Sequence, residues 1–103
     1  MDEAVFKGDF YNIDDVTNEF ELREDYFEDL QYEVLYAEYK FAGGYDGSAF
    51  VLFRSNGKLY EVNGDHCSCF GLEGQWEPEE TSVEALLMRP NLDADLRYLL
   101  EGM

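Results

Sequence analysis

The sequence predicts an α+β fold: a small antiparallel sheet, a three-stranded meander with an Asn-Gly hairpin, packed with short N-terminal and C-terminal helices. Three observations lead there. Of 103 residues, 46% are hydrophobic and 17% aromatic, enough apolar mass to build a core where so charged a chain would otherwise stay disordered. Asn56-Gly57 stands between two runs rich in Val, Leu, Phe and Tyr, and this pair favours a type I′ turn, in which both positions need positive φ. On either side of that region the apolar residues recur at helical spacing instead. One domain is expected over residues 1–103, with an acidic helical segment at 1–31, the sheet at 32–70, and a loop with C-terminal helices at 71–103.

Taken in order, Asn12 is the expected N-cap of a first helix, because Ile13, Val16 and Phe20 follow on one helical face. Tyr26, Phe27 and Leu30 are expected to bury a second short helix, with Glu24, Asp25, Glu28 and Asp29 on its outer side. Acids three or four residues apart destabilise an isolated helix by roughly a few tenths of a kcal/mol per pair, so packing or a cationic partner has to compensate. Residues 33–41 read as the first strand, with Leu35, Ala37, Tyr39 and Phe41 on one face and Val34, Tyr36, Glu38 and Lys40 on the other. A connection through Gly43-Gly44-Tyr45-Asp46-Gly47 leads to a central strand at 49–54, and residues 59–62 return as the third. Residues 65–76 read as an ordered loop over one end of the sheet. A helix covering Val83, Leu86 and Leu87 follows, with Arg89 at the negative end of its dipole and Pro90 as its stop. Asn91 is the expected cap of a last helix whose apolar face is Leu92, Leu96, Leu99 and Leu100.

Charge is the most informative property of the chain. Twenty-four acids against seven bases leave a formal charge of −17. Like charges repel across a folded domain and oppose compaction, so the excess points to the attraction of something strongly positive. Residues 1–40 hold thirteen acids and three bases, and Asp14, Asp15, Glu19, Glu21, Glu24, Asp25, Glu28 and Asp29 crowd one short stretch against Arg23 alone. A solvated, solubilising surface is the bland alternative. Anionic membranes would repel such a chain, no stretch reaches the roughly 20 apolar residues that span a bilayer, and the first residues lack the basic and apolar regions of a signal peptide. A cytoplasmic location is expected.

His66-Cys67-Ser68-Cys69, beside Asp65, is the most suggestive local chemistry. A structural zinc site takes four ligands, usually as two separated pairs, whereas here two Cys and the single His fall within four residues. A reactive thiolate needs electropositive surroundings. Inward packing of small thiols is the first reading, with a metal site through His66, Cys67 and Cys69 as an alternative; no cofactor is expected. Phosphate-binding loops, Gly-x-Ser-x-Gly and calcium loops do not occur, and one His leaves few acid–base candidates near neutral pH. The chain is expected not to be an enzyme.

Residues Gly57-Lys58-Leu59-Tyr60-Glu61-Val62-Asn63-Gly64, then His66-Cys67-Ser68-Cys69, Gly71-Leu72-Glu73, Gln75-Trp76-Glu77-Pro78-Glu79-Glu80-Thr81 and Ala85-Leu86, resemble a group of small proteins of tailed bacteriophages and mobile elements that has no assigned activity. The resemblance covers the central and later half of the chain and implies a phage accessory protein acting in the cytoplasm of a bacterial host. With the charge, it leads to an expected function: an acidic inhibitor of DNA-mimic type that covers the basic nucleic-acid-binding surface of a host protein, for example of CRISPR or restriction machinery. The eight acids just named would stand in for phosphates, with Tyr26 or Tyr11 as anchor. A protein–protein module using the loop at 66–76 is the competing expectation.

Overall fold

Over residues 4–42, 46–66 and 71–103, the computed structural model forms an α+β fold with a five-stranded mixed sheet and four helices. In chain order these are β1 (Val5–Gly8), α1 (Ile13–Glu19), α2 (Tyr26–Leu30), β2 (Glu33–Ala42), β3 (Asp46–Ser55), β4 (Lys58–His66), β5 (Glu79–Thr81), α3 (Val83–Leu87) and α4 (Ala94–Glu101). The strands lie in sequence order across the sheet, with β1 parallel to β2 and every other neighbour antiparallel. Gly43, Gly44 and Tyr45 of the expected connection, and Cys67, Ser68 and Cys69 of the expected metal loop, lie outside the described residues, as does the side chain of His66.

The sheet therefore has two strands more than the expected three. β1 arises inside the segment read as helical, and β5 inside the approach to α3. Four residues are too few to show a period, and Glu79-Glu80-Thr81 carries acids that rarely favour strands. Both form by pairing with an edge already in place: β1 along Tyr36 to Tyr39, β5 along Leu59 to Glu61. Gly8 closes β1 with φ 67°, and a side chain there would meet the Tyr39 carbonyl oxygen at 2.1 Å. That same oxygen accepts the Asp9 N–H at 2.9 Å, so the chain can leave the sheet at this point only through glycine.

Alternation sorts the sheet into two buried faces. Ala37, Tyr39, Ala49, Val51, Phe53 and Val62 pack against Val16 and Phe20 of the α1 region and Phe27 of α2. Tyr36, Leu52 and Leu59 pack against Leu86 of α3 and Leu96 and Leu100 of α4. The register slips between Val34 and Tyr36. A bulge there puts Leu35 on the same face as Tyr36 and returns Val34 to the face of Ala37, the reverse of the strict alternation expected for these two residues. Asn56 and Gly57 have φ of 53° and 78° between the paired Ser55 and Lys58, a two-residue turn with both centres left-handed.

Three expected helix details change. Leu30 is exposed, and Phe27 and Tyr26 are the residues of α2 that reach the core among the described residues. Asn91 takes φ 59° and does not cap α4; Asp93 does, accepting the Asp95 N–H at 2.9 Å. Arg89 lies beyond α3 and pairs with Glu61 of β4 at 2.6 Å instead of resting on the helix end.

Candidate partner-binding surface

Local rules place the two acid-bearing helices. Asn12 accepts the Asp15 N–H at 3.0 Å, and the Asp15 carboxylate accepts the Tyr11 N–H at 2.8 Å, a reciprocal cap that satisfies otherwise unpaired donors at the start of α1. At its other end the Leu22 N–H reaches the Thr17 carbonyl at 2.8 Å and the Glu21 N–H the Asn18 carbonyl at 3.2 Å. The Tyr32 and Gln31 N–H groups repeat this pattern on Phe27 and Glu28. Both are Schellman turns, and both put a residue other than glycine at the left-handed position: Glu21 at φ 55° and Gln31 at φ 58°. Gln31→Gly is therefore expected to raise stability by about 0.5–1 kcal/mol, read as a higher melting temperature with unchanged far-ultraviolet circular dichroism.

Trp76 fastens this layer to the sheet. Its indole stacks on Phe53 with centroids 5.8 Å apart and meets Phe20, Tyr26 and Phe27 edge-on at 5.1, 5.7 and 5.5 Å. The indole N–H donates to the Tyr26 hydroxyl at 2.8 Å. Gln75 holds the chain leading to it, donating to the Asp65 and Gly71 carbonyls at 2.7 Å each and accepting the Asp65 N–H at 2.8 Å. The loop read from sequence as a possible interface thus has Leu72, Gln75 and Trp76 turned to internal contacts.

Val16, Phe20 and Phe27 belong to one core cluster, so the residues opposite them leave α1 and α2 on the same side of the sheet. Seven of the eight predicted acids, Asp14, Glu19, Glu21, Glu24, Asp25, Glu28 and Asp29, are exposed, and Asp15 is half-buried in its capping role. Arg23 draws two of them together, pairing with Asp25 at 3.4 Å and with Asp29. Asp14, Glu19, Glu21, Glu24 and Glu28 make no ion pair among the described residues. Of the two aromatic anchors expected, Tyr26 is half-buried and committed to Trp76, while Tyr11 is 76% exposed.

Two acids outside the predicted stretch join this surface. The Tyr39 hydroxyl is pushed up to about 12, first by burial and then by the carboxylates of Glu19, Asp9 and Glu73. Asp9 and Glu73 are exposed and therefore extend the negative field of Glu19. Neither was legible in the sequence, because they come from the β1–α1 turn and from the loop beyond β4, far apart along the chain.

Elsewhere the few bases are consumed locally. Lys7 bridges Asp93 and Asp95 at 3.0 and 2.8 Å, Lys40 meets Glu38 at 3.4 Å, Arg54 meets Glu33 at 2.8 Å, and Arg89 meets Glu61. With Arg23, five of the seven bases sit in such pairs among the described residues. The Lys7 ammonium is held above the ordinary lysine range by its hydrogen bonds to Asp95 and Asp93. Burial opposes the Asp93 charge, but Lys7 and the N–H groups of Asp95 and Leu96 outweigh it and keep the carboxyl below its usual value. Burial pushes the Tyr36 hydroxyl far up, with Glu38 and Asp93 adding to it. These groups are ionic and polar fastenings of the α3–α4 face.

Among the described residues, no group of three or more His, Cys, Asp or Glu is arranged to hold a metal ion, and no helix is long and apolar enough to cross a membrane. No family model, curated protein or solved structure matches this chain.

Proposed function

We propose that the chain is an acidic inhibitor that covers the basic nucleic-acid-binding surface of a host protein, with the α1–α2 layer as its contact face. What supports this reading is that seven of the eight acids are exposed on α1, α2 and the turn joining them, while Val16, Phe20 and Phe27 of the same segment share one core cluster against the sheet. Duplex DNA presents one negative charge per roughly 1.7 Å of its axis, and its binding proteins meet it with clustered Lys and Arg. Fixed carboxylates from Asp14, Glu19, Glu24 and Glu28 offer such a cluster a similar field without bases to read. Because five of the bases are already paired internally, little positive potential remains to offset attraction at long range. Association is then fast and strongly salt-dependent. The resemblance to phage accessory proteins extends the proposal to nucleases of host defence, of CRISPR or restriction type.

The acids to reverse are those with no internal duty. Asp25 and Asp29 hold Arg23, Asp15 caps α1 and Glu21 occupies the left-handed position of the α1 turn, so Asp14→Lys, Glu19→Lys, Glu24→Lys and Glu28→Lys are combined. Immobilised protein is exposed to bacterial lysate at low and high salt. A Lys- and Arg-rich nucleic-acid-binding protein is expected on the unaltered chain at low salt, released by salt, and lost with the fourfold reversal. Its binding to DNA is expected to be displaced by the soluble chain. Retention by the reversed protein, or failure to capture any such partner at low salt, sinks the proposal.

A further inference from the structure

The acidic layer ends beside a shallow, largely open apolar groove that runs between β1 and the α2 terminus. Phe6, Ile13, Phe27, Tyr32 and Val34 line it, and Glu28 and Glu33 stand among them. All five apolar residues belong to, or pack against, the core under α1 and α2, so the groove is an opening into that core's edge. It lies along β1, whose outer side carries no strand among the described residues. Glu33 is already paired with Arg54, whereas Glu28 makes no ion pair among the described residues.

We propose that this groove is the socket for an apolar side chain carried on an extended, lysine- or arginine-flanked segment of the cationic partner. The proposal rests on the acidic-surface reading and adds to it the chemistry of the anchor. Charge complementarity selects the occupant. A segment reaching this groove passes Glu28 on its rim, so its flanks have to be cationic, while the groove itself rewards one aliphatic or aromatic group. Electrostatic attraction alone is screened within about 8 Å at physiological salt. Burial of one apolar side chain is not screened, and so supplies the salt-resistant part of binding. Interfaces commonly combine the two, a desolvated anchor inside a charged rim.

Two labelled synthetic peptides of equal lysine content, one with a central leucine and one with serine in its place, are titrated by fluorescence anisotropy. The leucine peptide is expected to bind the intact protein roughly tenfold more tightly, with a ratio that holds as salt is raised. Ala4→Trp, which fills the groove from its β1 end, is expected to bring the leucine peptide down to the serine peptide. Amide chemical shifts of the unaltered protein provide a check that needs no variant: Phe6, Tyr32 and Val34 are expected to move with the leucine peptide only. Equal, salt-sensitive binding of both peptides overturns the socket and leaves the acidic surface standing. Binding of neither peptide at low salt removes the acidic surface, and the socket with it. A leucine preference that survives Ala4→Trp, or shifts confined to other residues, also overturns the proposal.

Discussion

Arg89→Met is expected to lower stability by about 3 kcal/mol at neutral pH, because it strands a buried carboxylate. Glu61 is 5% exposed on the α3–α4 face of β4. One oxygen takes Arg89 at 2.6 Å and the other takes the Asn63 amide at 2.9 Å. Burial pushes its pKa up, but hydrogen bonds from Arg89, Asn63 and Thr81 and the Arg89 charge outweigh that and hold the carboxyl below its unfolded value of 4.5. Its contribution to stability is thus complete above pH 4.5 and fades as pH falls through the folded value. Removing Arg89 takes away both its hydrogen bond and its charge, so the folded pKa rises and Glu61 contributes less stability at neutral pH than in the unaltered protein.

The difference between the two proteins in urea unfolding is accordingly expected to be largest at about pH 7 and to shrink toward about pH 4. Comparing differences cancels the general relief of self-repulsion as the other acids protonate. Replacing both partners, Glu61→Met with Arg89→Met, is expected to recover most of the loss, since an apolar pair leaves no orphaned charge. A deficit that is the same at both pH values would show that Arg89 acts by packing its stem and not through Glu61.

Much of the sheet was legible because its signals are local. Asn56-Gly57 sets a turn by its own φ preference, and the apolar run before it suits a central strand whose Val51, Leu52 and Phe53 enter the two cores in alternation. Asn12 was legible as a cap for the same reason: its bond reaches only three residues along the chain. Features that depend on distant partners were not. β1 and β5 have weak strand character and form on an existing edge. The bulge at Val34–Tyr36 arises where one strand has to feed both cores. Arg89 reads as a helix-end cation until the fold brings Glu61 within reach, twenty-eight residues away.

The candidate surface divides in the same way. The exposure of Asp14 and Glu19 follows from the helical period of Ile13, Val16 and Phe20, which the sequence displays. Which of the eight acids are occupied does not. Asp15 is occupied by the Tyr11 N–H at the start of α1, and Arg23 ties Asp25 to Asp29 through the geometry of the turn between α1 and α2. The groove beside β1 was beyond reach, since it needs a strand that the sequence does not announce.

Trp76→Ala is expected to cost about 3 kcal/mol, at the low end for loss of a packed indole because Trp76 is only half-buried. That corresponds to a melting temperature lower by more than about 10 °C in a domain of this size. The indole touches Phe20 from the α1 end, Tyr26 and Phe27 from α2, and Phe53 from the sheet, so the loss falls on the layer that carries the acids. Trp76→Phe separates two contributions, keeping a ring in place while removing the hydrogen bond to Tyr26, at about 1 kcal/mol. Circular dichroism follows both variants, since the chain's single tryptophan is the residue removed. Hydrogen exchange supplies the decisive readout: amides of residues 14–30 are expected to lose protection in Trp76→Ala before those of β3 and β4. Such a variant keeps every carboxylate and all of its −17 charge. If it nonetheless binds the cationic partner more weakly, recognition depends on where the charges are held; if binding is unchanged while α1 and α2 are loosened, net charge alone is sufficient and a fixed template plays no part.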